Sequence, residues 1–312
     1  MGTEISNQKG TKVKILNNGQ KIPLIGLGNL KNENIEEIVY YSIKDGVRLI
    51  DTEPYLKNEE EIGKAIKRAI NDGLVQREDL FIIGKLIIEN KNNPEKAIKE
   101  TLKNLKLDYL DLYLDQWPAS TIYDNNNKIK NKIVSIYELW PKMEDLIKKG
   151  LTKSIGVCNY NIQALNNLLS FCKIKPVVNG IEFHLFNYQL NIIKLCEVFE
   201  ITLLAYCPLA KTNEFKIYIE EKNNDDINQT INRINNELVY KYEKTQGQII
   251  LNWHIQLGVI PIVSTSKINR MQEDLEALEF NMEPEDIKQF CSLGKKIKFN
   301  DSHELLNYNI FA

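Results

Sequence analysis

Short apolar runs alternate along the chain with amphipathic stretches. Between the runs, apolar residues recur at helical spacing, as in the stripe formed by Ile62, Ile66, Ala69 and Ile70. The apolar runs predict eight strands, near residues 24–28, 47–51, 80–85, 109–115, 153–158, 177–182, 202–206 and 259–263. Strands that alternate with covering helices are typical of a parallel sheet. We therefore predict an α/β fold, and the 312 residues suffice for one barrel domain, which takes roughly 250 residues, with long loops.

Four segments fall outside this alternation. Residues 12–24 predict a hairpin, and the Asn18-Gly19 pair within them favours a type I′ turn. The other three are predicted long excursions, at residues 119–132, 211–231 and 294–312. In a barrel enzyme, loops at the C-terminal face of the strands build the site, so these segments are candidate walls of a substrate pocket. For the strongly polar residues 211–231, a disordered insertion is an almost equal alternative.

Two helix starts carry clear local signals. Asn58 followed by Glu61 resembles a capping box, in which a side chain at the helix start accepts a backbone N–H. Asn93 precedes Pro94, and proline is favoured at the first helical position. The sequence therefore predicts helices that begin directly after Asn58 and Asn93.

Seven short blocks of sequence share their order with one known family. They lie at residues 22–28, 51–63, 81–85, 110–118, 154–159, 178–182 and 204–209. In that order they resemble the aldo-keto reductases over nearly the whole chain. The resemblance implies a (β/α)8 TIM barrel with an N-terminal β-hairpin and three long loops at its C-terminal face. Residues 1–312 would form a single domain, of which residues 1–10 are expected to be disordered.

The block at residues 51–63 departs from the family where chemistry occurs. The family has an aspartate at the end of the second barrel strand and a tyrosine acid five residues later. Here Asp51 matches the aspartate, but the fifth position is Leu56, and Tyr55 comes one residue early. A kink at Pro54 could bring Tyr55 forward as the acid. Alternatively, Tyr55 packs on the barrel rim and Leu56 fills the catalytic space.

The resemblance implies two further catalytic residues, Lys85 and Gln116. In the family, the aspartate holds the lysine, and the lysine ammonium lowers the pKa of the tyrosine acid beside it. Asp51 and Lys85 keep that pair. Gln116 stands where the family has histidine; its amide can donate a hydrogen bond but cannot shuttle a proton.

The resemblance also implies weak binding of NADP(H). The candidate cofactor-binding residues are Asn159, Glu182, Tyr206, Ser264, Thr265, Lys267, Arg270 and Glu273. Tyr206 would stack on the nicotinamide, Arg270 would bind the 2′-phosphate and Glu273 the adenine. Gly180 and Cys158 replace a glutamine and a serine of the family, so contacts to the cofactor are lost. The alternative for residues 264–274 is an ordinary last helix with surface charges.

Two functions follow as hypotheses. The first is an NADP(H)-dependent oxidoreductase of small carbonyl or alcohol substrates, with weak or altered activity. The second is an inactive pseudoenzyme that keeps the barrel, and with it the cofactor, as a binding or scaffolding surface for a protein partner.

Composition and charge argue against several other classes. The formal net charge of −2 argues against a nucleic-acid partner. No apolar run approaches the roughly 20 residues of a transmembrane helix. Five cysteines without a Cys-x-x-Cys pair suit reduced thiols and a cytoplasmic location. Gly2 and Ser6 match a myristoylation pattern, although an ordinary disordered start is favoured because a second membrane signal is missing.

The three histidines do not have the spacing of metal ligands. His184, His254 and His303 are far apart in sequence, and no metal site is predicted. The first two lie in apolar runs, so we predict hydrogen-bonded core histidines there.

Overall fold

Strands and helices alternate along the chain as the apolar pattern predicts. The computed structural model describes residues 5–6, 11–28, 30–31, 34–119, 121, 128, 133–210, 229, 233–265, 267, 270–292 and 297–299. The strands are β1 (Ile5–Ser6), β2 (Lys12–Ile15), β3 (Lys21–Pro23), β4 (Gly26–Gly28), β5 (Leu49–Asp51), β6 (Phe81–Leu86), β7 (Leu112–Asp115), β8 (Ile155–Cys158), β9 (Val178–Glu182), β10 (Thr202–Tyr206) and β11 (Val259–Val263). The helices are α1 (Ile35–Lys44), α2 (Glu59–Asn71), α3 (Pro94–Leu105), α4 (Ile136–Lys148), α5 (Ile162–Leu169), α6 (Leu190–Phe199), α7 (Val239–Tyr242), α8 (Gln246–Gln256), α9 (Arg270–Leu275) and α10 (Pro284–Cys291).

Strands β4 to β11 close into a parallel barrel in sequence order, with β11 paired to β4. All eight predicted strands are confirmed. Glycine makes the closure possible: a Cβ built on Gly26 would lie 2.6 Å from Ile262 Cδ1 and 2.7 Å from Leu49 Cδ2. Because these contacts come from the two strands on either side, any side chain at position 26 would push β4 away from its partners.

Helix α2 contacts α3 at similarly close range. A Cβ on Gly63 would lie 2.5 Å from the carbonyl oxygen of Leu105, the last residue of α3. The predicted apolar stripe of α2 is confirmed: Ile62, Ile66 and Ala69 are buried, and Ile70 is partly buried against the core. The core thus extends from the barrel interior into the layer between strands and helices.

The predicted N-terminal hairpin is present, but its turn differs from the expectation. Strands β2 and β3 pair antiparallel, and of the first ten residues, expected to be disordered, Ile5–Ser6 are described as β1, paired with β2. Gly19 has a φ of +83°, whereas Asn18 keeps a negative φ. A type I′ turn needs positive φ at both central residues, so that prediction is wrong. The Leu16 carbonyl accepts from Gly19 N and the Leu16 N–H donates to Gln20 O, as in a longer loop with glycine in the left-handed position.

The two helix starts differ in how they are capped. Asn93 caps α3 by accepting a hydrogen bond from Lys96 N at 3.0 Å, as predicted. Helix α2 begins after Asn58 as predicted, but the Asn58 side chain makes no cap. Its amide instead donates to the Leu30 carbonyl at 2.7 Å. Asn58 therefore ties the loop after β4 to the start of α2.

Both described core histidines are fully buried, as predicted. His254 contacts two carbonyl oxygens, with Nδ1 2.8 Å from Ile250 O and Nε2 3.0 Å from Phe183 O. His184 Nε2 lies 3.1 Å from Glu182 Oε1. The three predicted excursions lie almost entirely outside the described residues, as do Gly2 and His303.

Candidate active site

Polar side chains converge at the C-terminal ends of the barrel strands. Asp51 ends β5, Lys85 lies near the end of β6, and Gln116 directly follows β7. Asn159 follows β8, and Tyr206 ends β10. Because parallel strands in a barrel all end at the same face, these residues surround one opening.

An ion pair between Lys85 and Asp51 lies at the base of this opening. The Lys85 ammonium is 2.7 Å from Asp51 Oδ2, and both side chains are largely buried. Burial alone would lower the pKa of Lys85, but the nearby Asp51 and Glu53 carboxylates raise it above its ordinary value. Lys85 is therefore a permanent positive charge in the site.

Glu53 is a second carboxylate on the same ammonium, and the sequence reading missed it. Its Oε2 lies 3.4 Å from Lys85 Nζ and accepts a 2.8 Å hydrogen bond from Gln116 Nε2. Glu53 follows β5 on extended backbone, two residues after Asp51. The family comparison directed attention to the fifth residue after the aspartate. A charged residue directly after a buried strand was the available signal.

Tyr55 is turned away from Lys85. Its hydroxyl donates to Glu89 Oε2 at 2.7 Å. Tyr55 and Lys85 are both described residues, and no hydrogen bond joins them. Residues 54–56 form a short 3₁₀ turn that ends at Lys57, whose φ is +53°. The geometric condition for Tyr55 as the acid is thus not met. Burial and the Glu89 contact also raise the pKa of the Tyr55 hydroxyl above its ordinary value.

Some of the predicted site residues line a cavity of about 450 Å³, and the others lie outside its lining. Seven of them line it: Asp51, Lys85, Gln116, Asn159, Tyr206, Ser264 and Arg270. Five others lie outside its described lining: Tyr55, Glu182, Thr265, Lys267 and Glu273. Leu56 is also outside it, so the apolar plug expected at that position is not found; Glu53 is in the lining instead. The cavity joins the Asp51–Lys85 pair to Arg270 at the start of α9.

Residues on the cavity wall adopt strained backbone conformations. Asn159, Cys207 and Ala210 all line the cavity and have left-handed φ values of 64°, 52° and 49°. Such conformations cost of order 1–3 kcal/mol each in non-glycine residues and cluster at functional sites. At Asn159 the turn places the amide where Nδ2 donates to Gln116 O at 2.9 Å and Oδ1 accepts from the Tyr206 hydroxyl. The Asn159 side chain thus fixes both neighbours.

Gly180 and Cys158, which replace larger and smaller family residues respectively, compensate each other. A Cβ on Gly180 would lie 2.8 Å from Cys158 Sγ. The thiol therefore occupies the space into which a side chain at position 180 would extend. Burial raises the pKa of Cys158 above its ordinary value, so the thiol stays protonated.

A second buried ion pair, between Lys91 and Asp115, lies next to Gln116. The sequence did not predict it. Lys91 Nζ is 2.7 Å from Asp115 Oδ1, and the Tyr160 hydroxyl donates to Asp115 Oδ2 at 2.7 Å. Lys91 also donates to the Trp117 carbonyl at 2.5 Å. Since Asp115 and Trp117 are the neighbours of Gln116, this cluster fixes the segment that presents Gln116 to Glu53.

The more distant cofactor candidates make local contacts. Thr265 Oγ1 accepts from Lys267 N at 3.1 Å, as at a tight turn. Glu273 accepts a 2.8 Å hydrogen bond from Thr245 Oγ1. Glu182 Oε1 accepts from Phe299 N at 2.7 Å and so holds the chain near its end to β9. Their roles in cofactor binding stay predictions.

The described residues contain neither a cluster of metal ligands nor a helix that could span a membrane. No group of three or more His, Cys, Asp or Glu side chains there could hold a metal ion. No described helix has the length and apolar character needed to cross a membrane.

Comparison with known proteins gives one consistent result. The family model described as "Aldo/keto reductase family" matches residues 20–295. "Aldose reductase C" of Dictyostelium discoideum is 34% identical, over 91% of this chain and 89% of that protein. "NAD(P)H-dependent D-xylose reductase" of Pachysolen tannophilus is 34% identical, over 92% of this chain and 94% of that protein. A crystal structure of Bombyx mori aldo-keto reductase in complex with NADP is 30% identical, with a TM-score of 0.82 over 95% of this chain and 97% of that one.

Proposed function

Since this chain belongs to the aldo-keto reductase family, we propose that it is an NADP(H)-dependent oxidoreductase that interconverts small carbonyl compounds and alcohols. The supporting observation is the buried Asp51–Lys85 pair on the wall of a cavity that extends to Arg270. That cavity holds both the polar groups needed for proton transfer and a cation suited to a phosphate.

The lining residues fit a nicotinamide dinucleotide. Tyr206 lines the cavity, and Ser264 and Arg270 contribute a hydroxyl and a guanidinium to its lining. The Gln116 Oε1 atom, buried and without a partner among the described residues, can accept from an added donor. When bound, the nicotinamide would supply or accept the hydride. We propose weak binding, because Gly180 offers no side-chain amide and Ser264 no positive charge.

The substrate class that we propose is a small sugar or polyol. The relatives are named for aldoses and D-xylose, and the cavity lining includes two carboxylates and two amides, those of Asp51, Glu53, Gln116 and Asn159. Its volume of about 450 Å³ lies within the range of roughly 300–1,000 Å³ for small-molecule sites. Cytoplasmic location, for which the cysteine pattern is the support, stays a prediction.

Titration of the protein with NADPH and NADH, followed by Trp and Tyr fluorescence, tests the cofactor half of this proposal. We expect the fluorescence change to saturate with NADPH. NADH should bind more weakly, because Arg270 favours the 2′-phosphate that only NADPH carries. Arg270→Ala should reduce this preference, and Lys241→Ala, outside the cavity, is the matched control. No saturation up to millimolar cofactor would contradict the proposal.

Turnover with D-xylose and NADPH, or with xylitol and NADP⁺, tests the catalytic half. We expect measurable rates that Lys85→Met removes. Saturable NADPH binding without turnover in either direction would instead support the inactive binding protein.

A further inference from the structure

Three residues of the cavity lining carry hydrogen-bond acceptors that lie buried beneath its surface. Asp51 Oδ1, Glu53 Oε1 and Gln116 Oε1 are buried and have no hydrogen-bond partner among the described residues. All three residues line the cavity. Unpaired buried oxygens of this kind cost about 1–3 kcal/mol each, so a bound molecule that satisfies them gains that free energy.

Two donor groups of the site already contact carboxylates, and the Lys85 ammonium, which has three N–H groups, keeps one of them for a bound molecule. The Lys85 ammonium contacts Asp51 Oδ2 and Glu53 Oε2, and the Gln116 amide donates to the same Glu53 oxygen. A carbonyl oxygen only accepts hydrogen bonds and cannot satisfy the three free acceptors. Hydroxyl groups donate, so a polyhydroxy alcohol, which has one hydroxyl more than its aldehyde, offers one more donor to these oxygens.

Glu53 is held in the position of a proton-transferring group. Lys85 and Gln116 both bind Oε2, which fixes the carboxyl group and leaves Oε1 without a partner. The terminal torsion of a glutamate side chain is broad, so a small rotation presents Oε1 to a bound molecule. Tyr55 is committed to Glu89, and Gln116 cannot take up a proton. Of the two carboxylates that contact Lys85, Glu53 is the more weakly paired, at 3.4 Å against 2.7 Å for Asp51.

We propose that Glu53 is the proton-transferring residue of this site and acts as the base in the oxidation of a polyhydroxy alcohol. The proposal rests on the oxidoreductase function proposed above. The substrate O–H bond breaks, and its proton passes to the Glu53 carboxylate. The C–H electron pair leaves the same carbon as hydride to bound oxidised NADP, which is the co-reactant, and the C=O bond forms. Glu53 then releases its proton to solvent.

The carboxylate gives the residue a defined role in each direction of the reaction. Carboxyl groups are ordinarily ionised at neutral pH, whereas a tyrosine hydroxyl is ordinarily protonated. A carboxylate can accept a proton from an alcohol, whereas a tyrosine hydroxyl can donate one to a carbonyl. With Glu53 in this place, its carboxylate is the base for alcohol oxidation and its protonated form is the acid for the reverse reduction.

Carboxyl-carbon NMR of glutamate-labelled protein tests the contact without turnover. The Glu53 signal is identified by its loss in Glu53→Gln, and the Glu89 signal by its loss in Glu89→Gln. With NADPH bound, so that no oxidation can occur, xylitol should shift the Glu53 signal in a saturable way and leave the Glu89 signal unchanged. A Glu53 signal that does not respond to xylitol would overturn the proposal.

Kinetics then test the chemistry. Glu53→Gln should lower xylitol oxidation by about 10²- to 10⁴-fold, the usual contribution of a general base. Its affinity for NADPH should be retained, which also shows that the variant is folded. Glu53→Asp, which keeps a carboxylate, should retain more activity, and Glu89→Gln should match the unsubstituted protein. Full oxidation activity in Glu53→Gln would overturn this inference alone, whereas no turnover in the unsubstituted protein would overturn the proposed function as well.

Discussion

Replacing Lys91 by methionine should destabilise the protein strongly. Lys91 and Asp115 are almost completely buried, with 4% and 0% of their side chains exposed. Lys91→Met leaves the Asp115 carboxylate without its cation, and Tyr160 remains as its hydrogen-bond donor. Removing one partner of a buried ion pair typically costs about 3–5 kcal/mol. That is a large part of the roughly 5–15 kcal/mol by which a domain is stable.

Urea unfolding measures this cost, and a double variant separates its cause. If the unpaired charge is responsible, Lys91→Met combined with Asp115→Leu should regain most of the lost free energy of unfolding, because an apolar pair often replaces a buried ion pair without loss. An exposed pair contributes about 0–1 kcal/mol. A loss for Lys91→Met within that range, or a double variant no more stable than the single one, would refute the reasoning.

Three further predictions concern stability. Gly63→Ala should destabilise by about 1–3 kcal/mol in urea unfolding, because its Cβ would lie 2.5 Å from the Leu105 carbonyl oxygen. Gly247→Ala, where 3.8 Å separates the added Cβ from its nearest neighbour, should instead stabilise by about 0.4–1 kcal/mol; equal effects at both glycines would contradict the packing argument. Burial lowers the pKa of His254 to about 4. Its contribution to the free energy of unfolding is therefore fully present above pH 6.5, the ordinary histidine pKa, and falls by roughly 3 kcal/mol as the pH drops through 4. The free energy of unfolding of His254→Gln should fall less over the same pH range.

The barrel could be predicted from the sequence because its signals are local. Each strand is an apolar run followed by an amphipathic helix, and all eight runs became strands. The Asn93 cap was also readable, since its partner lies three residues away. The Asn58 side chain was misread because Leu30, its partner, is 28 residues distant. Long-range contacts of this kind leave no periodic trace in the sequence.

The candidate site was only partly predictable, for a geometric reason. The family resemblance pointed to Asp51, Lys85 and Gln116, and all three line the cavity because each lies at the end of a strand. Tyr55 lies instead on a 3₁₀ turn, and the direction of its side chain depends on the left-handed Lys57 and on Glu89 in another loop. That Glu53 lies beside Lys85, where the family has its tyrosine acid, became evident only from the geometry of that turn.

The contact between Gly180 and Cys158 couples the evolution of two positions. A side chain introduced at position 180 collides with the Cys158 sulfur, which would lie 2.8 Å from the new Cβ. Conversely, a smaller residue at position 158 opposite Gly180 would leave a void, which costs stability in a packed wall. Each change is unfavourable alone, and the two together restore the packing. We therefore expect epistasis between the two positions. In relatives of this chain, glutamine at position 180 should occur with serine or alanine at position 158, and glycine at position 180 should occur with cysteine at position 158.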